Sequence, residues 1–158
     1  MSEEVPAPLF DRLIDREPGV RRELRPFRTL DRAALRESVR RELERLLNTR
    51  CPLPEDQLVG RERTVVEYGL PDLAVLGPAR YQDRERLASM LREAVEAYEP
   101  RLGQVRVEVS EPREGEHEVL RARIGGVLVI DGVPESVAFD TALHGGAAAV
   151  DLADRDEA

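Results

Sequence analysis

The stretch "EAYEPRLGQVRVEV", residues 96–109, contains the point at which the periodicity of the chain changes. Upstream of Glu99, apolar residues recur at the spacing of an amphipathic helix. Downstream, valines alternate with polar residues from Val105 to Val109, which is typical of a half-buried strand. Pro100 disfavours helical backbone at the residue before it, so the helix is predicted to end at Glu99. The stretch therefore predicts a helix that leads almost directly into a sheet.

Two segments have sustained helical periodicity. The first covers residues 29–50, and Thr29 or Asp31 can cap its start. The second runs from about Asp83 to Tyr98 and has the most regular apolar stripe in the chain. The stripe residues are Leu35, Val39, Leu43, Leu46 and Leu47 in the first segment, and Leu87, Met90, Leu91, Ala94, Val95 and Tyr98 in the second. We therefore predict two main helices.

The second half of the chain has the alternation of strands. Residues 105–109, 120–130 and 137–143 follow this pattern, and residues 147–152 are a candidate fourth strand. The glycine pair Gly125-Gly126 interrupts the second strand and indicates a bulge or bend. Helices followed by hairpin-linked strands predict an α+β fold, in which two main helices pack on one face of a small, mostly antiparallel sheet of three to four strands.

The length of 158 residues fits one domain. We place a single α+β domain at residues 29–152, an extended N-terminal arm with a short docking helix at residues 1–28, and a disordered tail at residues 153–158. Between the two helices, residues 51–81 have no sustained period, although Thr64–Tyr68 is predicted as a short strand.

Composition excludes several classes of function. The net charge of −8 argues against a nucleic-acid binder, which needs a concentrated basic surface. No apolar run is long enough to insert in a membrane, and the acidic start is unlike a secretory signal. The single cysteine, Cys51, cannot form an internal disulfide, which fits a reducing compartment. We therefore expect a cytoplasmic protein.

No arrangement of residues predicts catalysis, a cofactor or a metal. Cys51, His117 and His144 are far apart and lack metal-ligand spacing. Motifs for an activated serine or a phosphate-binding loop are absent from the sequence. Glycoside hydrolysis needs a carboxylic acid with a raised pKa, and Glu99 is the best candidate. Arg101, two residues on, would lower its pKa instead. We predict no catalytic residue and no metal ligand.

The corner formed by Glu99, Pro100 and Arg101 has two interpretations. It is either an ordinary helix end, with Glu99 and Arg101 solvated or paired together, or a stiff corner that projects both charges outward toward another chain. Local physics leaves this choice open.

Five short segments occur in an order that resembles a known family. They are LFDRL (9–13), LLNTR (46–50), YGLPDL (68–73), YEPRL (98–102) leading into VRVEV, and VAFDT (137–141). Together they resemble the phage baseplate-wedge family that is often labelled lysozyme-like, over residues 8–143. The first two segments are most similar to its bacterial branch, the TssE subunit of the type VI secretion baseplate. The glycine pair departs from this resemblance, which implies a plain apolar strand there.

The resemblance implies a non-enzymatic subunit that docks to other wedge subunits and initiates polymerisation of the contractile sheath. It implies that the Glu-Pro-Arg corner contacts the helical core bundle joining wedge subunits, which makes Glu99, Pro100 and Arg101 the partner-binding residues. It also implies strand pairing with sheath subunits, with the edge left open. A second such triplet, Glu111–Arg113, lies in a polar turn and receives no role. The label lysozyme-like implies the alternative function, a peptidoglycan-cleaving glycosidase.

Overall fold

The computed structural model describes residues 5–13, 18–19, 29–74, 76–77, 79–112, 119–130, 133–144 and 147–152. The helices and strands in these ranges are β1 (Val5–Pro6), α1 (Leu9–Leu13), β2 (Thr29–Leu30), α2 (Arg32–Asn48), α3 (Tyr81–Tyr98), β3 (Leu102–Val109), β4 (Val119–Ile130), β5 (Val133–His144) and β6 (Ala147–Leu152). Much of the predicted arm, and the whole predicted tail at residues 153–158, fall outside the described residues. Within the described part, no helix has both the length and the apolar character needed to cross a membrane.

Four strands form one antiparallel sheet in the order β3-β4-β5-β6, and α2 and α3 share its hydrophobic core. Cross-strand pairing places Ile124 opposite Phe139, and both are fully buried against the helices. The next pair along, Arg123 and Asp140, lies on the opposite face because successive side chains alternate. The α+β class and the antiparallel sheet are thus confirmed, with four strands rather than three. The five-residue α1 is a helix additional to the two long ones.

Both long helices lie close to their predicted positions. α2 begins after Asp31, whose Oδ1 accepts the Ala34 N–H at 2.8 Å, so Asp31 rather than Thr29 is the cap. α3 begins at Tyr81, slightly before the predicted start, and ends as predicted at Tyr98.

The strand predicted at Thr64–Tyr68 is wrong, since these residues contain a 3-10 turn at Val65–Glu67. Thr64 caps the turn by accepting the Val66 N–H at 3.3 Å, and the Glu67 carboxylate accepts the Thr64 N–H at 2.8 Å. These local side-chain bonds satisfy backbone groups that a strand would pair with a neighbour.

The bulge predicted at Gly125-Gly126 is also wrong, because β4 pairs with β5 in unbroken register through both glycines. The irregularity lies on the neighbouring strand, between Gly103 and Arg106 of β3. There Gln104 adopts a positive φ of 52°, in the left-handed region.

Gly126 is required by packing rather than by backbone conformation. A Cβ atom at this position would lie 2.6 Å from the Leu102 side chain and 3.0 Å from the Gly103 carbonyl oxygen. The absent side chain therefore lets Leu102, which is 3% exposed, pack across β4 into the core.

The two edges of the sheet differ in their backbone groups. At β6, the Asn48 side chain accepts the Ala148 N–H and donates to the Ala148 carbonyl oxygen, both at 2.8 Å. Arg40 donates to the Val150 carbonyl oxygen, also at 2.8 Å. Asn48 thus makes the same pair of hydrogen bonds that a neighbouring strand residue would make, so side chains of α2 occupy this edge.

The β3 edge has no such cover among the described residues. The Ser110 N–H donates to the Arg121 carbonyl oxygen at 2.9 Å, which fixes the alternation along β3. The peptide groups of Val107 and Val109 consequently point away from β4. Outward-pointing peptide groups of this kind are what an extended segment of another chain pairs with in strand addition.

We expect Gly126→Ala to lower the free energy of unfolding by roughly 1–3 kcal/mol, because the added methyl group overpacks the site beneath Leu102. Urea denaturation followed by circular dichroism measures this change. The matched control is Gly125→Ala, whose Cβ would meet its nearest atom at 4.0 Å, and we expect it to be neutral or slightly stabilising. Equal stability of the two variants would contradict the packing role of Gly126.

Candidate docking site

The chain turns sharply where α3 ends. The Glu99 N–H still donates to the Val95 carbonyl oxygen at 2.8 Å, as the last helical bond, and the Leu102 N–H donates to the Glu99 carbonyl oxygen at 3.1 Å. Pro100, which is exposed, lies at the apex between them. The proline fixes its own φ and restricts Glu99, so the corner from Glu99 to Leu102 is held by covalent geometry as well as by hydrogen bonds.

The two charges of the corner are paired with each other. Arg101 Nε donates to Glu99 Oε1 at 2.7 Å, and Arg101 Nη2 donates to Glu99 Oε2 at 2.5 Å, which is a forked two-bond contact. Glu99 is only 3% exposed, whereas the Arg101 side chain is 26% exposed. The expectation that both charges project outward is therefore wrong for Glu99. The carboxylate folds inward, because the guanidinium beside it offsets the cost of its burial.

A polar network connects the corner to helices α1 and α2. Arg101 Nη1 donates to Ser38 Oγ at 3.0 Å, and Ser38 Oγ donates to Asp11 Oδ2 at 2.6 Å. Arg41 Nη2 donates to the other oxygen of Asp11 at 2.7 Å. Asp11 is 5% exposed and Ser38 is 1% exposed, so the network runs through the interior from α1 across α2 to the corner.

Sequence reasoning missed Asp11 and Ser38. The signal for Ser38 was present, since it lies three residues after Leu35 and so falls on the apolar stripe of α2. A polar residue at such a position needs a buried hydrogen-bond partner. Asp11 was part of the LFDRL segment but offered no local sign of burial.

The network contains charges of both signs. Two cations, Arg41 and Arg101, face two carboxylates, Asp11 and Glu99. Burial by itself lowers the pKa of Arg101, but the hydrogen bond and the charge of Glu99 outweigh burial and raise it above its usual value. Both Glu99 oxygens accept hydrogen bonds from Arg101, which suits a fixed anion rather than a proton donor.

Two exposed valines, Val65 and Val66, form an apolar tip on the 3-10 turn near the corner. The ring of Tyr98 meets that of Tyr68 edge-on at 5.1 Å, and its hydroxyl donates to the Thr64 carbonyl oxygen at 2.8 Å. The hydrogen bond from the Thr64 side chain lowers the pKa of Glu67, so this carboxylate stays ionised and keeps the turn closed. The turn thereby holds Val65 at 89% exposure, and Val66 beside it is 67% exposed.

The second Glu-Pro-Arg triplet has a different environment. Arg84 Nη2 donates to Glu111 Oε1 at 2.9 Å, which connects the end of β3 to the first turn of α3. The Glu111 side chain is 82% exposed, and Arg113 lies outside the described residues. This triplet therefore does not reproduce the buried pair at Glu99.

The outer face of the sheet carries a shallow groove of about 390 Å³. Its charged lining residues are Glu108, Arg121, Arg123, Asp140 and Asp151, and Glu99 is not among them. Arg123 donates to Asp140 at 2.8 Å, so part of this charge is already neutralised across the strands.

The two described residues of the set Cys51, His117 and His144 have different environments. Cys51 is buried, His144 is exposed at the end of β5, and His117 lies outside the described residues. Within the part of the chain that the structure describes, no group of three or more His, Cys, Asp or Glu side chains is arranged to hold a metal ion.

Comparison with known proteins gives one family match. The family described as baseplate wedge protein gp25 matches residues 33–132. No curated protein matches the chain. A solved chain from "The baseplate complex from the type VI secretion system" matches with a TM-score of 0.49 and 21% identity, covering 70% of this chain and 94% of that chain.

We expect Arg101→Ala to lower the free energy of unfolding by about 2–3 kcal/mol, because it leaves the Glu99 carboxylate buried without its partner. The value is below that of a fully buried pair because water reaches part of the guanidinium. The double variant Glu99→Gln/Arg101→Ala should recover part of the loss, since the stranded charge is gone. Urea denaturation measures the free energy of unfolding of the wild type, of Arg101→Ala and of the double variant. Arg92→Ala, at an exposed position of α3, is the control. If Arg101→Ala is no less stable than Arg92→Ala, the pair has no structural role.

Proposed function

Because the chain belongs to the baseplate wedge protein gp25 family, we propose that it is a non-enzymatic structural subunit of a contractile injection baseplate of the type VI secretion kind, assembled in the cytoplasm. In this role it docks to other wedge subunits through Glu99, Pro100 and Arg101, and it initiates polymerisation of the contractile sheath. The observation that carries the proposal is the Arg101 guanidinium, which is fixed on one side by Glu99 and exposed on the other. The LFDRL and LLNTR segments favour the bacterial branch.

The geometry of Arg101 supports docking by hydrogen bonding. Three of its five N–H donors are used, two by Glu99 and one by Ser38. Two donors therefore remain for a partner, on a group that is already immobilised, so little side-chain entropy is lost on binding. Glu99 cancels the charge of Arg101, and this favours an uncharged acceptor over a carboxylate. Carbonyl groups at the end of a partner helix fit this description, since the last turn of a helix leaves them unpaired.

The two edges of the sheet support sheath initiation at β3. Strand addition requires outward-pointing N–H and carbonyl groups, and β3 offers those of Val107 and Val109. At β6 the equivalent groups of Ala148 already bond to Asn48. We therefore assign the incoming sheath strand to β3 rather than to β6.

The rival function, cleavage of peptidoglycan, has less support. A retaining or inverting glycosidase needs a protonated acid facing a second carboxylate across a sugar-sized cleft. Here both oxygens of Glu99 accept bonds from Arg101, and the groove on the sheet lies away from it. Release of soluble fragments from purified cell wall by the chain, lost on substitution of Glu99, would contradict the structural role.

Arg101→Lys tests docking without removing the charge beside Glu99. Lysine lacks the planar fork of donors, so we expect co-purification of co-expressed baseplate wedge subunits to fall by about tenfold or more. Arg92→Lys, on the exposed side of α3, is the matched control and should leave co-purification unchanged. Circular dichroism confirms that both variants are folded. Equal recovery of partners with the two variants would refute docking through Arg101.

Photo-cross-linking tests the choice of edge. Glu108 on β3 and Asp151 on β6 are both exposed acidic residues on edge strands, so each can be replaced by a photo-reactive amino acid in an equivalent setting. We expect cross-links to a sheath subunit from position 108 and not from position 151, because β3 has the open peptide groups. Cross-links from position 151 alone would show that the strand adds at β6.

A further inference from the structure

Ser38 connects the N-terminal helix α1 to the corner through hydrogen bonds. Its hydroxyl is 2.6 Å from Asp11 Oδ2 on α1 and 3.0 Å from Arg101 Nη1. Ser38 is 1% exposed, so water does not compete for either contact. The chain separation is 27 residues on one side and 63 on the other, which makes this contact purely tertiary.

We propose that Asp11 and Ser38 are positioning residues for Arg101, so that α1 must be docked on α2 for the corner to bind its partner. The proposal rests on the proposed function, since it concerns the same docking site.

The direction of the hydrogen bonds gives the mechanism. A serine hydroxyl has one hydrogen to donate, and the ionised Asp11 can only accept. The Ser38 hydrogen therefore points at Asp11, and this turns the oxygen lone pairs toward Arg101. Arg101 in turn can only donate, so the order of the three groups is fixed. Without Asp11 the hydroxyl rotates freely, and its lone pairs are no longer held toward the guanidinium.

The stability of α1 makes this arrangement sensitive to docking. An isolated helix of five residues is not stable in water, so α1 depends on its contacts with the rest of the chain. Asp11 supplies two of these contacts, to Ser38 and to Arg41. Leu9 and Leu13 are 68% and 69% exposed, so they add little to the attachment. A change that detaches α1 therefore also removes the acceptor that orients the Ser38 hydroxyl toward Arg101.

Nuclear magnetic resonance on the whole chain tests positioning directly, through exchange of the Arg101 Nε–H with water. Glu99 holds this group only while the guanidinium stays in place. In Ser38→Ala and in Asp11→Ala we expect its exchange to accelerate about fivefold or more, the factor that corresponds to one net hydrogen bond. Asp11→Asn should accelerate exchange less than Asp11→Ala, because its amide oxygen can still accept the Ser38 hydroxyl although its amino group then faces the Arg41 donor. Ser89→Ala removes a half-buried serine of α3 that bonds to Glu93, and it is the matched control.

The outcomes separate positioning from simple structural support. Exchange of Arg101 that is faster in the two alanine variants than in Asp11→Asn, and unchanged in Ser89→Ala, supports the proposal. Unchanged exchange in Ser38→Ala overturns it, and so does detachment of α1 in Asp11→Ala, seen from its backbone amides, without any change at Arg101. Global unfolding would accelerate every protected amide alike, so the other core amides serve as the internal reference.

Co-purification with wedge subunits supplies the second arm of the test. If wild type binds them, recovery with Ser38→Ala should fall as the exchange rate rises, and full recovery would overturn the proposal. If wild type does not bind them, docking itself fails, while the resonance measurement still decides whether Asp11 and Ser38 position Arg101.

Discussion

Burial of the Glu99 carboxylate is unfavourable unless it is paired, and this requirement organises the junction between helix α3 and strand β3. Pro100 ends the helix and forces the chain to turn, which brings Arg101 back beside Glu99. The forked contact between them then neutralises the charge and fixes the start of β3. Since β3 lies against α3 and pairs with β4, the direction of the whole sheet relative to the helices follows from this corner.

The same corner both stabilises the fold and leaves part of the Arg101 guanidinium exposed at the surface. The Glu99 carboxylate accepts hydrogen bonds at both oxygens and so holds the Arg101 cation in one orientation, at low entropic cost for a later contact. The cation keeps donors on its exposed side while its inner side is bonded to Glu99 and Ser38. The docking role proposed above would use this arrangement, because a cation held in one orientation offers a neighbouring subunit a defined surface.

Periodicity was enough to predict both long helices and three strands, with residues 147–152 as a candidate fourth, because these depend on local spacing and on a single buried face. It failed at Thr64, where a capping box competes with strand pairing, and at Gly126, where the glycine serves the packing of Leu102. The position of the corner was predictable from Pro100. Its inward orientation was not, because the groups that surround Arg101 include Ser38 and, through it, Asp11, which are distant in the sequence.

The way Asn48 mimics a strand residue has a consequence for how copies of this chain can associate. Unlimited edge-to-edge association requires two available sheet edges on every molecule. Here the β6 edge is already hydrogen-bonded to a side chain of α2. Pairing through β3 alone terminates after a single neighbour. The two edges of the sheet are thus not equivalent: β3 has outward-pointing peptide groups, whereas those of Ala148 on β6 are already hydrogen-bonded. This difference opposes the growth of fibres by edge-to-edge association.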